Sequence, residues 1–320
     1  MHRSRRGKAG RRGAHSLLLL LPLFLLLSGT VLSPGCRSKI EERLATARTL
    51  IDEERYNEAI FELRECLAQS KGDARPPFLL GVVYARQGKL ERAGTFFRQA
   101  LEIDSLLTPS VVNEWVQRGT VFVARGQNDR AVAAFERALV LDPHVDLGDG
   151  FCVLGERYFG ERRIEEAAGM FERAIGSGLD AEGELDARLR LAQCYEALDD
   201  LEAAFACLDE GSRTISDPEL LWERGRVAYE LSQQCLRGGY YERVRSLAGS
   251  VIKSGMPEVL VDDAYFAVGE SYFLQGEYRD AIAAYEKVLR LNPIGSGSLV
   301  EDARRRIELA RALDRGRSES

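Results

Sequence analysis

From Ile40 to Pro293 the chain alternates apolar and polar positions at helical spacing, and a second, longer period is laid over the first. A small residue is followed twelve positions later by Ala, four more on by a large apolar residue and three more on, in most copies, by a small one. Six runs obey this rule: Ala47/Ala59/Leu63/Cys66, Gly81/Ala93/Phe97/Ala100, Gly119/Ala131/Phe135/Ala138, Gly155/Ala167/Phe171/Ala174, Ala192/Ala204/Leu208/Gly211 and Gly269/Ala281/Tyr285/Val288. A ring or bulky apolar residue stands three after each first position, at Leu50, Tyr84, Phe122, Tyr158, Tyr195 and Tyr272. Such spacing predicts pairs of helices that approach closely at the small residues, with the large residues filling the space beside them. Pro143 and Pro293, in Leu-Asp-Pro and Leu-Asn-Pro, predict where second helices stop.

A distorted copy lies between the fifth and the last of these runs. Gly225 and Ala228 occupy its first slots, and Val244, Ala248 and Val251 serve the later ones if seven extra residues intervene. Seven residues are about two helical turns, so the helix can lengthen without rotating its apolar face. The stretch Leu236-Arg237-Gly238-Gly239-Tyr240 equally suggests an exposed turn. After the last copy, Ile294 to Ser298 reads as a turn into a helix from Leu299 to about Asp314. The stripe Leu299, Val300, Ala303, Ile307, Ala310 and Leu313 would close the end of the array, and residues 315–320 read as a disordered tail.

The slots for small, aromatic, Ala, Phe and Ala residues resemble the tetratricopeptide repeat, a helix-turn-helix unit. The resemblance implies an all-α superhelical solenoid of about seven repeats over residues 37–296, with a capping helix and tail in 297–320. It also implies a concave wall made by the first helix of each repeat, where proteins or peptides bind. Positions three before, one after and four after the small slot then give the candidate groove. They are Phe78 and Val82; Val116, Thr120 and Val123; Glu156 and Phe159; Gln193; Trp222, Arg226 and Tyr229; and Phe266, Glu270 and Phe273. This set is mostly apolar and aromatic, which suits an apolar helix or segment. Chaperone-binding members of the family clamp a terminal carboxylate with Lys, Asn and Arg; Val82, Thr120 and Glu156 stand in the corresponding places, and that specificity is not supported.

The first 36 residues read as an export signal. Arg3, Arg5, Arg6, Lys8, Arg11 and Arg12 precede the apolar run from Leu17 to Leu27, and Ser33-Pro34-Gly35 lead to Cys36. This looks like a bacterial lipoprotein signal, which implies lipidation of Cys36, although Ser33 replaces the Leu favoured three before the Cys. Cleavage near Gly35 without lipid and an uncleaved anchor are the alternatives, and each places the repeats outside the cytoplasm. Arg37 after the Cys implies the outer membrane, facing the periplasm, in a host with two membranes; inner-membrane anchoring and secretion remain open. The pairs Arg5-Arg6 and Arg11-Arg12 lack the apolar residues that twin-arginine export requires directly after them.

Charge then narrows the partners. Formal net charge is −6, yet residues 1–35 hold six basic residues and no acid, leaving 38 basic against 50 acidic residues. A body of net charge −12 is a poor match for nucleic acid, whose recognition rests on clustered positive charge. Cys66, Cys152, Cys194, Cys207 and Cys235 include no CxxC pair, so neither a disulfide framework nor a zinc site is expected; Cys194 and Cys207 could pair across one hairpin. His144 is the sole histidine after residue 15 and follows Pro143 in a turn, with no nucleophile motif beside it. No catalytic residue, metal or cofactor is expected. The expected function is a non-enzymatic scaffold in the cell envelope that binds an exported protein, of the outer-membrane, pilus or polysaccharide-export assembly type. A regulatory or accessory subunit of an envelope enzyme is the alternative.

Overall fold

The computed structural model describes residues 34–295 and 297–318 of the 320. The expected export segment lies outside them, and Cys36 falls in the first turn of the first helix. Fifteen α-helices follow one another among the described residues: α1 (Pro34–Asp52), α2 (Tyr56–Gln69), α3 (Arg75–Arg86), α4 (Leu90–Ile103), α5 (Thr108–Ala124), α6 (Asn128–Leu141), α7 (Gly150–Gly160), α8 (Ile164–Gly176), α9 (Ala181–Ala197), α10 (Leu201–Gly211), α11 (Pro218–Gly238), α12 (Tyr241–Ser254), α13 (Val261–Leu274), α14 (Tyr278–Leu291) and α15 (Ser298–Ser318). Each odd helix pairs with the even helix after it, which gives seven hairpins and one closing helix. None of these helices is long and apolar enough to cross a membrane.

One turn recurs in every hairpin. Seven residues after the small slot the backbone turns left-handed, at Glu54, Gly88, Gly126, Arg162, Asp199, Gly239 and Gly276. The next residue's N–H reaches back to the carbonyl of the bulky position, as in Lys89 to Tyr84 and Gln127 to Phe122, both 2.9 Å. This six-to-one hydrogen bond satisfies a carbonyl that the helix end would leave unpaired. Glycine takes the left-handed position at no steric cost, whereas the side chains of Glu54, Arg162 and Asp199 occupy it at a cost of about 1 kcal/mol each.

The same turn corrects the reading of the sixth hairpin. Tyr240 N–H bonds to the Cys235 carbonyl at 2.9 Å, and Gly239 has φ +76°. Counting back seven from Gly239 puts the small slot at Ser232, which is fully buried, and twelve on from Ser232 comes Val244. No residues are inserted between the slots. The extra length lies ahead of Ser232, because α11 runs 21 residues and starts at Pro218 with Asp217 capping the N–H groups of Glu219 and Leu220. Gly225 serves a different contact: a Cβ there would collide with the main-chain carbonyl of Met256.

Across each hairpin the slot and the large residue are matched in size. Glycine faces a ring: a Cβ on Gly81 or Gly269 would stand 2.5 Å from Phe97 or Tyr285, 2.8 Å from Phe171 on Gly155, and closer still to Phe135 on Gly119. By repeat position alanine is matched with leucine, in Ala47 with Leu63 and Ala192 with Leu208, and Ser232 with Ala248. All of these residues are buried. Dense packing tolerates such exchanges when the paired volume roughly fits the gap.

One apolar core runs without a break from Ile40 to Cys207, and smaller clusters follow it around α9–α11, α11–α13 and α13–α15. Among the described residues the buried polar side chains, Arg188, Ser232, Glu270 and Ser271, all lie from α9 onward. Each has partners: Arg188 donates to Glu184 at 2.8 Å and to the Cys207 carbonyl at 3.1 Å, and the two serines donate to carbonyls three residues back. Gly211 leaves room for the Arg188 stem. At the C-terminal end α15 packs on α14 and reaches α13, burying Val300, Ala303, Ile307 and Ala310. It continues to Ser318, one turn past the expected end, so most of the expected tail is helical.

Candidate functional site: the concave wall

The first helices of successive hairpins stand side by side, and their outward faces form one wall. On this face α5 exposes Asn113, Gln117, Thr120 and Ala124; Asp149 just ahead of α7, with Glu156 and Gly160 within it, and Asp186, Gln193 and Ala197 of α9 follow. Measured from each small slot these fall six before, two before, one after and five after. The open floor of the groove is therefore polar in its middle.

This differs from the apolar groove expected from sequence. Thr120, Glu156, Gln193 and Trp222 are open to solvent. Phe78, Val116, Val123, Phe159, Arg226, Tyr229, Phe266 and Phe273 are half-buried, and Val82 and Glu270 are closed off at 4% and 8% exposure. Positions three before and four after the slot are half-buried in most copies rather than open on the wall. Their apolar side chains join the cores: the Phe78 ring lies 5.8 Å from Phe97, and Phe266 lies 5.3 Å from Tyr285. Glu270 accepts hydrogen bonds from Tyr285 Oη at 2.6 Å and from Arg306 of α15 at 2.7 Å, and Arg306 also covers the Phe273 ring. The groove thus ends against α15.

Charge is arranged along this wall in pairs. Arg190 of α9 bonds Glu156 of α7 at 2.7 Å, and Arg226 of α11 holds both oxygens of Glu196 of α9 at 2.7 and 2.8 Å. A cleft of about 510 Å³ opens between α7 and α9 beside the first of these pairs, with Asp149, Asp180 and Asp186 at its rim and Cys152 on its wall. Burial, then the nearby acids, push the Cys152 thiol up to about 11. Between α11 and α13, burial raises the Tyr229 hydroxyl to about 12, with Asp263 and Asp262 adding to it. Burial also lifts the Asp263 carboxyl above its ordinary value, helped by Asp262. Between α3 and α5, Arg86 Nε, Glu114 Oε2 and Arg118 Nε are buried without a hydrogen-bond partner among the described residues.

His144 is exposed in the α6–α7 turn, where its N–H bonds Asp142 at 2.9 Å. Cys66, Cys152, Cys194, Cys207 and Cys235 are free thiols, and burial pushes Cys194 and Cys207 up to about 11, away from the reactive thiolate. Among the described residues no group of three His, Cys, Asp or Glu is placed to hold a metal. Asp200 caps α10 through the Ala203 N–H, a structural duty. What the wall offers chemically is a row of hydrogen-bonding and charged groups on a rigid support, with Trp222 as an exposed ring.

Models of the tetratricopeptide repeat match residues 50–105, 152–212 and 262–293. No curated protein matches the chain. Among solved structures, a tetratricopeptide repeat protein from Parabacteroides merdae is 16% identical, covering 86% of this chain and 99% of its own, with a TM-score of 0.35. A protein of these repeats from Bacteroides fragilis is 12% identical over 63% of this chain and 98% of its own, with a TM-score of 0.43. YrrB, described as having an unusual peptide-binding site, is 19% identical over 65% of this chain and 97% of its own, with a TM-score of 0.35. The matched repeats support a protein–protein interaction scaffold. With seven hairpins built on one slot pattern, a shared turn and three stretches matched by models of the repeat, the chain is an all-α tetratricopeptide-repeat solenoid.

Proposed function

We propose that the chain is a non-catalytic adaptor held at the bacterial cell envelope by lipid on Cys36, and that its concave wall grips a segment of another exported protein. The observation that carries this reading is a basic-then-apolar start ending at Cys36, followed directly by an unbroken array of interaction repeats. The open polar row of Thr120, Glu156 and Gln193, with Trp222 farther along, supplies hydrogen bonds and one ring to a bound segment. Assembly of an outer-membrane, pilus or polysaccharide-export machine is the setting that such an address suits, because those assemblies recruit exported subunits.

Two measurements test it in living cells. A photo-crosslinking residue at Thr120 or Gln193 is expected to capture one specific envelope protein, and the same residue at exposed Leu106, outside the first helices, is expected not to. Labelled fatty acid is expected to enter the wild-type chain and to be lost in Cys36→Ser. Failure to capture any specific partner from the wall would overturn the binding reading. A mature N-terminus without lipid would overturn the anchor alone.

A further inference from the structure

The second helices carry a cavity that the groove does not use. Between α4 and α6 a cleft of about 540 Å³ opens on the outer face, with Phe97 and Trp115 as its floor and Leu101, Ala133, Val140 and Leu141 among its walls. Trp115 is 1% exposed, whereas Val140 at the rim is 82% exposed. Gly94 keeps the cleft open: a Cβ there would meet only Arg137 Nε at 3.8 Å and Trp115 Cζ2 at 3.9 Å, so neither clash nor backbone conformation calls for glycine. A glycine inside a helix costs about 1 kcal/mol relative to alanine, which leaves the open space as its visible effect here.

The rim carries two arginines, Arg98 and Arg137, and one acid, Glu136, in a protein whose body is acidic. Arg98 is exposed and has no ion pair or hydrogen bond among the described residues. Arg137 lies over the Trp115 ring, 5.3 Å from its centre, and pairs with exposed Glu91. The remaining rim acid, Glu136, is engaged by the Tyr158 hydroxyl at 3.3 Å. Volume and lining fall in the range of sites that take one bulky side chain or a small ligand. We propose that this cleft is a second docking site, which takes an aromatic or branched apolar side chain flanked by carboxylates on a partner segment. The side chain enters the cleft beside Trp115, Leu101 and Val140 while Arg98, the rim arginine without an ion pair among the described residues, receives the acids. The solenoid then engages partners on both faces.

The sequence contains two tryptophans, so Trp222→Phe leaves Trp115 as the sole indole reporter in the full chain. The probes are blocked pentapeptides with a central Phe between Glu pairs, a central Ala between Glu pairs, and a central Phe between Lys pairs. The acidic Phe peptide is expected to shift Trp115 emission saturably, with the Ala peptide at least tenfold weaker and the Lys peptide inert. Gly94→Leu, which fills the cleft, is expected to abolish the shift while circular dichroism shows the helices intact. Arg98→Glu is expected to weaken the acidic peptide at least tenfold. No saturable shift, an equal shift in Gly94→Leu, or equal binding of the Lys peptide would each overturn the proposal. Crosslinking from Thr120 reads the groove independently of all three.

Discussion

The third and sixth hairpins solve one packing problem in opposite ways. In α5–α6 a glycine lies under a phenylalanine ring, Gly119 under Phe135, with Ala131 and Ala138 on either side. In α11–α12 the large residue is only Ala248 and the slot is Ser232, while Val244 and Val251 replace the flanking alanines. Both keep the left-handed residue seven after the slot and the same back-bonded N–H. The difference teaches that the hairpin is held by its turn and by paired volume, and that no single residue type is required.

Removing the ring tests that contrast most strongly. Phe135→Ala is expected to lower stability by about 3–5 kcal/mol, against about 1 kcal/mol for Ala248→Gly, read by denaturant unfolding of the full chain. Equal losses would mean that the ring does not carry the third hairpin. Adding volume comes next. Gly119→Ala is expected to cost about 1–3 kcal/mol by forcing the Phe135 ring aside, and Phe135→Leu in the same chain is expected to recover much of it. That double change recreates the Ala–Leu match of Ala47 with Leu63, and strictly additive losses would refute size pairing. The smallest effect concerns the turns: Gly239→Ala is expected to cost about 1 kcal/mol, and Arg162→Gly to stabilise by a few tenths to about 1 kcal/mol. Reversed signs in thermal unfolding, a gain for Gly239→Ala and a loss for Arg162→Gly, would refute the energetic role of the left-handed turn.

Most of the fold was legible because packing constrains spacing. Six hairpins could be read from Gly or Ala, the aromatic position and the later alanines, since those residues touch one another. The sixth hairpin was misread because Ser232 and Cys235 fall outside the classes that mark the slot and the ring position. The signal that would have found them was Gly239: counting seven back from a turn glycine gives the slot whatever fills it. The groove was less legible. A helical wheel places Val116 and Phe159 on the outward half of their helices, yet both pack against the core and are half-buried. Which edge of a helix meets its neighbour depends on how successive hairpins lean, and that is not written in any one repeat.

A stack of identical hairpins has two open ends, and an open end can receive the start of another chain. Here α15 seals one of them. Its outer surface carries Glu301, Arg304, Arg305, Glu308 and Arg311, all exposed, while its inner surface is pinned by Arg306 on Glu270. Head-to-tail growth needs both ends adhesive, and a largely charged outer surface, broken by exposed Leu309 and Leu313, disfavours it at this end. The polypeptide thus carries its own closure at this end of the array.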